Sequence, residues 1–123
     1  QALAFLNNVP VDALAVGVGT HHGQFESKTK LNWELIEELH SNISTPLVIH
    51  GGTGVSEDDY QRLTKNGIRK FNVGTELLVA WTRTAKKYFS ETEVNNSLRN
   101  NIMPCNKAVY DVVNHKIGRF LNK

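Results

Sequence analysis

Cysteine occurs once in the 123 residues, methionine once and proline three times. A lone thiol, Cys105, excludes an internal disulfide and any CxxC metal frame, and fits a reducing compartment. No apolar run approaches the ~20 residues that span a bilayer, and no signal-peptide pattern opens the chain. The expectation is a soluble, cytoplasmic protein, in which the sequons at Asn42 and Asn95 are chance matches. Charge of one sign is also scarce. The net charge is +2, and the densest basic pair, Lys86-Lys87, has no basic run around it. That gives no reason to expect nucleic acid or an anionic membrane as a partner. Internal repeats and low-complexity linkers are absent. The chain has an ordinary globular composition, 40% hydrophobic and 21% charged.

The pattern along the chain alternates strands with helices. Ala13 to Val18 is short, almost continuously apolar and flanked by glycine, as a strand buried on both faces would be. Leu31, Leu35, Ile36 and Leu39 repeat at helical spacing, and that helix ends near His40-Ser41-Asn42. Pro46 opens a second buried strand, "LVIH", which stops at "GGTG". Ser56 is placed as an N-cap with Asp59 three residues on, and its helix runs to about Asn66, with Gly67 just beyond the end. "IRKFNVGT", Ile68 to Thr75, supplies a third strand. A longer helix follows, with Leu77, Leu78, Trp81, Ala85 and Tyr88 along one side. An Asn-rich connection, Glu91 to Asn101, leads to a last helix over about Pro104 to Leu121, striped by Val109, Val112, Val113, Ile117 and Leu121.

Such alternation implies parallel strands with crossover helices. A doubly wound sheet and a (β/α)8 barrel both satisfy it, and three units are too few to close a barrel of eight and typically ~250 residues. "QALAFLNN" reads as the end of a helix already under way, so the chain is expected to be the later part of a longer polypeptide.

Ligands of parallel α/β proteins bind beyond the carboxyl ends of the strands. Here those ends read "GTHHG", "HGGTG" and "NVGT". Gly51, Gly52 and Gly54 allow backbone N–H groups close to a ligand, and the helix after Ser56 starts beside them, a combination that suits phosphate. Each glycine turn alone is equally a tight turn and nothing more. The histidines divide in the same way. A single strand-end histidine is more often structural, but His22 and His50 end neighbouring strands and their imidazoles can converge on a zinc ion. A catalytic zinc takes three protein ligands and an open position, and only two are visible. His21 should point away from His22 if strand geometry persists. His40, His115 and Cys105 carry no metal-binding pattern.

"VDALAVGVGTHHG", "PLVIHGGTGVS" and "GIRKFNVGTEL", in this order and spacing, resemble the class II (zinc-dependent) ketose-bisphosphate aldolases, most closely the tagatose- and fructose-bisphosphate branch. The resemblance runs over residues 1–123, down to "VVNHKIGRFL". It implies an α/β fold that is the C-terminal part of a (β/α)8 TIM barrel, about three βα units plus a terminal helix. It places His22 and His50 on zinc-binding positions and Gly23 on a residue whose backbone meets dihydroxyacetone phosphate. Gly51, Gly52 and Thr53 match the phosphate loop, and Asn72, Val73, Gly74 and Thr75 a second segment lining the same ligand, with Asn72 against the enediolate. Zn2+ is the implied cofactor, with a monovalent cation (Na+ or K+) on backbone oxygens near the phosphate.

The implied activity is aldol cleavage of a ketose 1,6-bisphosphate in carbohydrate metabolism, by an enzyme that is a dimer or tetramer when full length. His21, Thr53 and Gly74 depart from the family's commoner residues, and His21 could add or crowd a contact. The family's remaining zinc histidine, the aspartate beside it and the mobile-loop acid of some members match nothing here. The fragment alone is therefore expected to be inactive. A non-catalytic phosphate- or metal-binding half-barrel is the alternative reading.

Overall fold

The computed structural model describes residues 1–23, 29–93 and 97–121. The elements are α1 (Ala2–Asn8), β1 (Leu14–Ala15), α2 (Trp33–Asn42), β2 (Leu47–Ile49), α3 (Glu57–Lys65), β3 (Ile68–Phe71), α4 (Thr75–Glu91) and α5 (Leu98–Phe120). A 3-10 turn, Gly52–Gly54, joins β2 to α3. They form two compact units, Gln1–Val73 and Gly74–Lys123. The end of the "GTHHGQF" stretch, the Asn95 sequon and the middle of the Asn-rich connection lie outside the described residues.

In the first unit the three strands are parallel and lie in the order β1-β2-β3. Leu14 pairs with Leu47, Ala15 with Val48, and Ile49 with Phe71. The middle strand is buried at all three residues, as its unbroken "LVI" requires. Ile36 of α2 and Tyr60 and Leu63 of α3 close over it, each fully buried. Burying an aliphatic side chain such as Ile36, Leu47, Ile49 or Leu63 completely is worth roughly 1.5–3 kcal/mol, and together they hold the strand ends in fixed relation.

The first strand corrects the sequence reading. Its ladder is confined to Leu14–Ala15, extended by one bond from the Val16 N–H to the Val48 carbonyl at 3.3 Å. Ala13, Ala15 and Gly17 are exposed, while Leu14 and Val16 are half-buried and Val18 is buried. Within residues 1–123 that alternation leaves one face of the strand covered. β3 likewise stops at Phe71, short of Thr75.

The helices start where local chemistry dictates. The Asn32 side chain caps α2 by accepting from the Leu35 N–H. Ser56 Oγ caps α3 by accepting from the Asp59 N–H at 3.3 Å, and donates to Asp59 Oδ2 at 2.5 Å. Three acidic residues, Glu57, Asp58 and Asp59, fill its first turn, where the positive end of the dipole favours them.

In the second unit α4 and α5 pack on each other, tied by an ion pair between Lys116 and Glu76 at 2.9 Å. α5 begins six residues before Pro104, at Leu98, because Ser97 supplies the cap by accepting from the Asn100 N–H. Pro104 thus lies inside the helix rather than opening it. The valine–isoleucine stripe coincides with its buried face only in part: Val109 and Val112 are half-buried on the side of the buried Asn101, Cys105 and Lys116, while Val113, Ile117 and Leu121 are exposed. Among the described residues no helix is long and apolar enough to cross a membrane.

Candidate functional site

The site is built where β2 and β3 end and the loop after β1 folds back over them. Gly51 is the pivot. It holds φ at +69°, and a Cβ there would collide with the His21 carbonyl oxygen. Only glycine permits both the left-handed backbone and this approach of one loop to the other. The approach carries the next residue, His22, beside His50. Their ring centres lie 5.3 Å apart with the planes 12° from parallel. His22 is therefore not at a strand end but on a loop, seven residues beyond β1. The inference that His21 points opposite to it loses its basis, because no strand geometry persists there.

Asn72 follows β3 and continues the pairing of its neighbour. Its N–H donates to the Ile49 carbonyl at 2.8 Å, and its carbonyl accepts from the Gly52 N–H at 3.0 Å. Its side-chain Nδ2 lies 3.3 Å from Nδ1 and 3.2 Å from Nε2 of His50. Lys70 Nζ donates to Asn72 Oδ1 at 2.8 Å. A carbonyl oxygen engaged by an ammonium leaves the amide donors facing the histidine. Asn72, His50 and His22 thus form one polar cluster in the first unit.

The glycine loop is more self-satisfied than its sequence implied. Gly52 is buried; its N–H is taken by Asn72, and its carbonyl accepts from the Val55 N–H at 3.3 Å and the Tyr60 hydroxyl at 2.9 Å. A Cβ on Gly52 would meet the Asn72 carbonyl and Val73 Cγ2, each at 3.1 Å. The seam with the segment after β3 is thus one structural reason for glycine at this position. Thr53 and Val73 are half-buried beside it, and Gly23 has φ at +102°. Gly74 and Thr75 belong to the second unit, where Gly74 is the N-cap of α4 without a side-chain cap bond.

Two imidazoles on one tetrahedral zinc, with bonds near ~2.05 Å, hold their ring centres about 5.2 Å apart. The 5.3 Å between His22 and His50 matches that separation, but the rings are stacked with planes 12° from parallel, so at least one must turn before both in-plane lone pairs meet at one ion. Among the described residues no group of three or more His, Cys, Asp or Glu side chains could hold a metal, so the two imidazoles are the donors that this arrangement brings together. Two neighbours of the cluster escaped the sequence reading. Lys70 had a signal, since residues two apart in a strand share a face. Tyr60 had none, because its contact with Gly52 is made by folding α3 back onto the loop.

The family model for class-II fructose-bisphosphate aldolase matches residues 1–123. Among solved structures, the YdjI aldolase from Escherichia coli K12 is similar, with a TM-score of 0.80 and 28% sequence identity. The match covers 97% of this chain and 42% of that one, so the chain spans less than half the length of this neighbour.

Proposed function

Because the chain belongs to the class-II fructose-bisphosphate aldolase family, we propose that it is the C-terminal portion of a single TIM-barrel domain that cleaves and condenses ketose 1,6-bisphosphates. The observation that carries this reading is the His22–His50 pair, at a separation suited to one ion, with the Asn72 amide beside it. The substrate is a phosphorylated ketose of the fructose or tagatose type, split into dihydroxyacetone phosphate and glyceraldehyde 3-phosphate.

His22 and His50 would hold Zn2+, with the third ligand supplied by a segment beyond this chain. Zinc bound there supplies Lewis-acid polarisation of the substrate C2 carbonyl, which acidifies the neighbouring C–H. Asn72 presents its amide N–H groups to the oxygen on which charge develops, and Lys70 keeps that amide from turning over. Gly51, Gly52 and Thr53 form the phosphate loop, the Gly23 backbone meets dihydroxyacetone phosphate, and Val73 lines the same ligand. Anchoring the phosphate fixes the reacting carbon against the cluster, which raises the effective concentration of the reacting groups. Backbone oxygens of these loops would hold Na+ or K+, and the complete enzyme would be a dimer or tetramer in the cytoplasm.

A coupled aldol-cleavage assay on the full-length polypeptide tests the reading. Fructose or tagatose 1,6-bisphosphate should be cleaved, cleavage should stop with a chelator, and added Zn2+ should restore it. Turnover indifferent to chelation would overturn it.

A further inference from the structure

We propose that Gly19 and Gly54 are positioning residues for His22, a role that rests on the functional reading above. The chain leaves the sheet at Val18 and Gly19 and comes back through Thr29 to Asn32 to begin α2. The outgoing and returning limbs are joined at their base. The Asn32 N–H donates to the Val18 carbonyl at 2.9 Å. Gly19 has φ at +97°, and a Cβ there would collide with the Lys30 carbonyl oxygen and lie 3.3 Å from its carbon. Only glycine adopts that backbone without strain and lets the limbs come so close. The base is anchored in the core, because Val18 and Leu31 are both buried.

The returning limb also rests on the turn after β2. The Gly54 N–H is engaged there by the Gly51 carbonyl at 3.3 Å. The room that Gly54 leaves beside its Cα is filled by Thr29, since a Cβ on Gly54 would collide with Thr29 Oγ1. His22 lies three residues after Gly19, and His50 stands just before the turn that holds Gly54. The two seats therefore hold the segment bearing one imidazole against the segment bearing the other. Gly19 sets the outgoing limb on Lys30, and Gly54 sets the returning limb on the turn. Neither glycine has a side chain to bind an ion, so both act through the backbone that carries His22.

The test uses the full-length enzyme and reads zinc affinity by chelator competition, the absorption spectrum of the cobalt-substituted protein, and Tm. Gly19→Ala should weaken zinc binding by about 10- to 100-fold, as loss of an outer partner does, and should change the cobalt spectrum. Gly67→Ala is the control for strain. Gly67 also has a positive φ, +81°, and its Cβ would meet His40 Nδ1 at 2.7 Å, but it precedes β3, at the end of the sheet away from the histidine pair. Its alanine variant should lower Tm as Gly19→Ala does, while leaving zinc affinity and the cobalt spectrum in place. Gly54→Ala should weaken zinc binding as well. Adding Thr29→Ala should restore it, because removing Oγ1 leaves the two Cβ atoms at an ordinary 3.6 Å. That pair carries the test if Gly19→Ala does not fold. Unchanged zinc affinity in Gly19→Ala or Gly54→Ala, an equal loss in Gly67→Ala, or no recovery with Thr29→Ala would overturn this role and leave the aldolase reading standing. A wild-type enzyme that binds no zinc would overturn both.

Discussion

Gly51 and Gly52 stand side by side for different reasons, and each reason gives a different prediction. Gly51 needs its left-handed backbone and the room beside His21. Gly51→Ala should cost on the order of 1–3 kcal/mol in stability and, by pushing the loops apart, should weaken zinc binding as well. Gly52 keeps an ordinary backbone but abuts Asn72 and Val73. Gly52→Val should therefore raise KM for the bisphosphate through displacement of the loop, and should lower Tm alongside it. An unchanged Tm with a raised KM would show instead that the side chain obstructs the ligand directly. For the imidazoles, His21→Ala should leave zinc in place, since only the backbone of His21 is needed at Gly51. Metal analysis of the purified variant checks this.

Among the elements, those legible in the sequence were the ones whose local and tertiary preferences agree. Ser56 and Asp59 specified the start of α3, and "LVI" specified a buried strand, because neither depends on anything distant. Ser56→Ala should thus cost about 1 kcal/mol, seen as a lower melting temperature. The Ala13–Val18 run pairs over fewer residues than its apolar length suggests, because its ladder with β2 is confined to Leu14–Ala15. The start of α5 was misplaced because proline commonly opens a helix, whereas here the Ser97 cap decides. Pro104 then removes one internal hydrogen bond from α5, a position where proline costs up to ~3 kcal/mol against alanine. Pro104→Ala should accordingly raise Tm. The proximity of His22 and His50 was legible as two strand ends, but the glycine pivot that creates it was not. Nor was Tyr60, since no sequence pattern links a helix residue to a carbonyl eight residues back in the preceding turn.

On the scale of the whole molecule, the chain leaves apolar surface uncovered. Leu3, Phe5 and Val9 are exposed in the first unit, and Leu78, Trp81 and Met103 in the second. β1 and β3 each have one neighbouring strand in the sheet, and unpaired edges with apolar surroundings favour association. Purified alone, residues 1–123 should elute from a sizing column as associated species and should show no aldol cleavage, with activity returning when the rest of the enzyme is supplied. In the proposed function His22 and His50 share one zinc ion. The most direct measurement of this is the zinc content of the full-length enzyme and of its His22→Ala and His50→Ala variants, purified identically. Wild type should carry one zinc per chain at this site. Each variant should lose zinc affinity by more than the roughly 10- to 100-fold that removal of an outer partner costs. Full zinc occupancy in either variant would contradict the assignment.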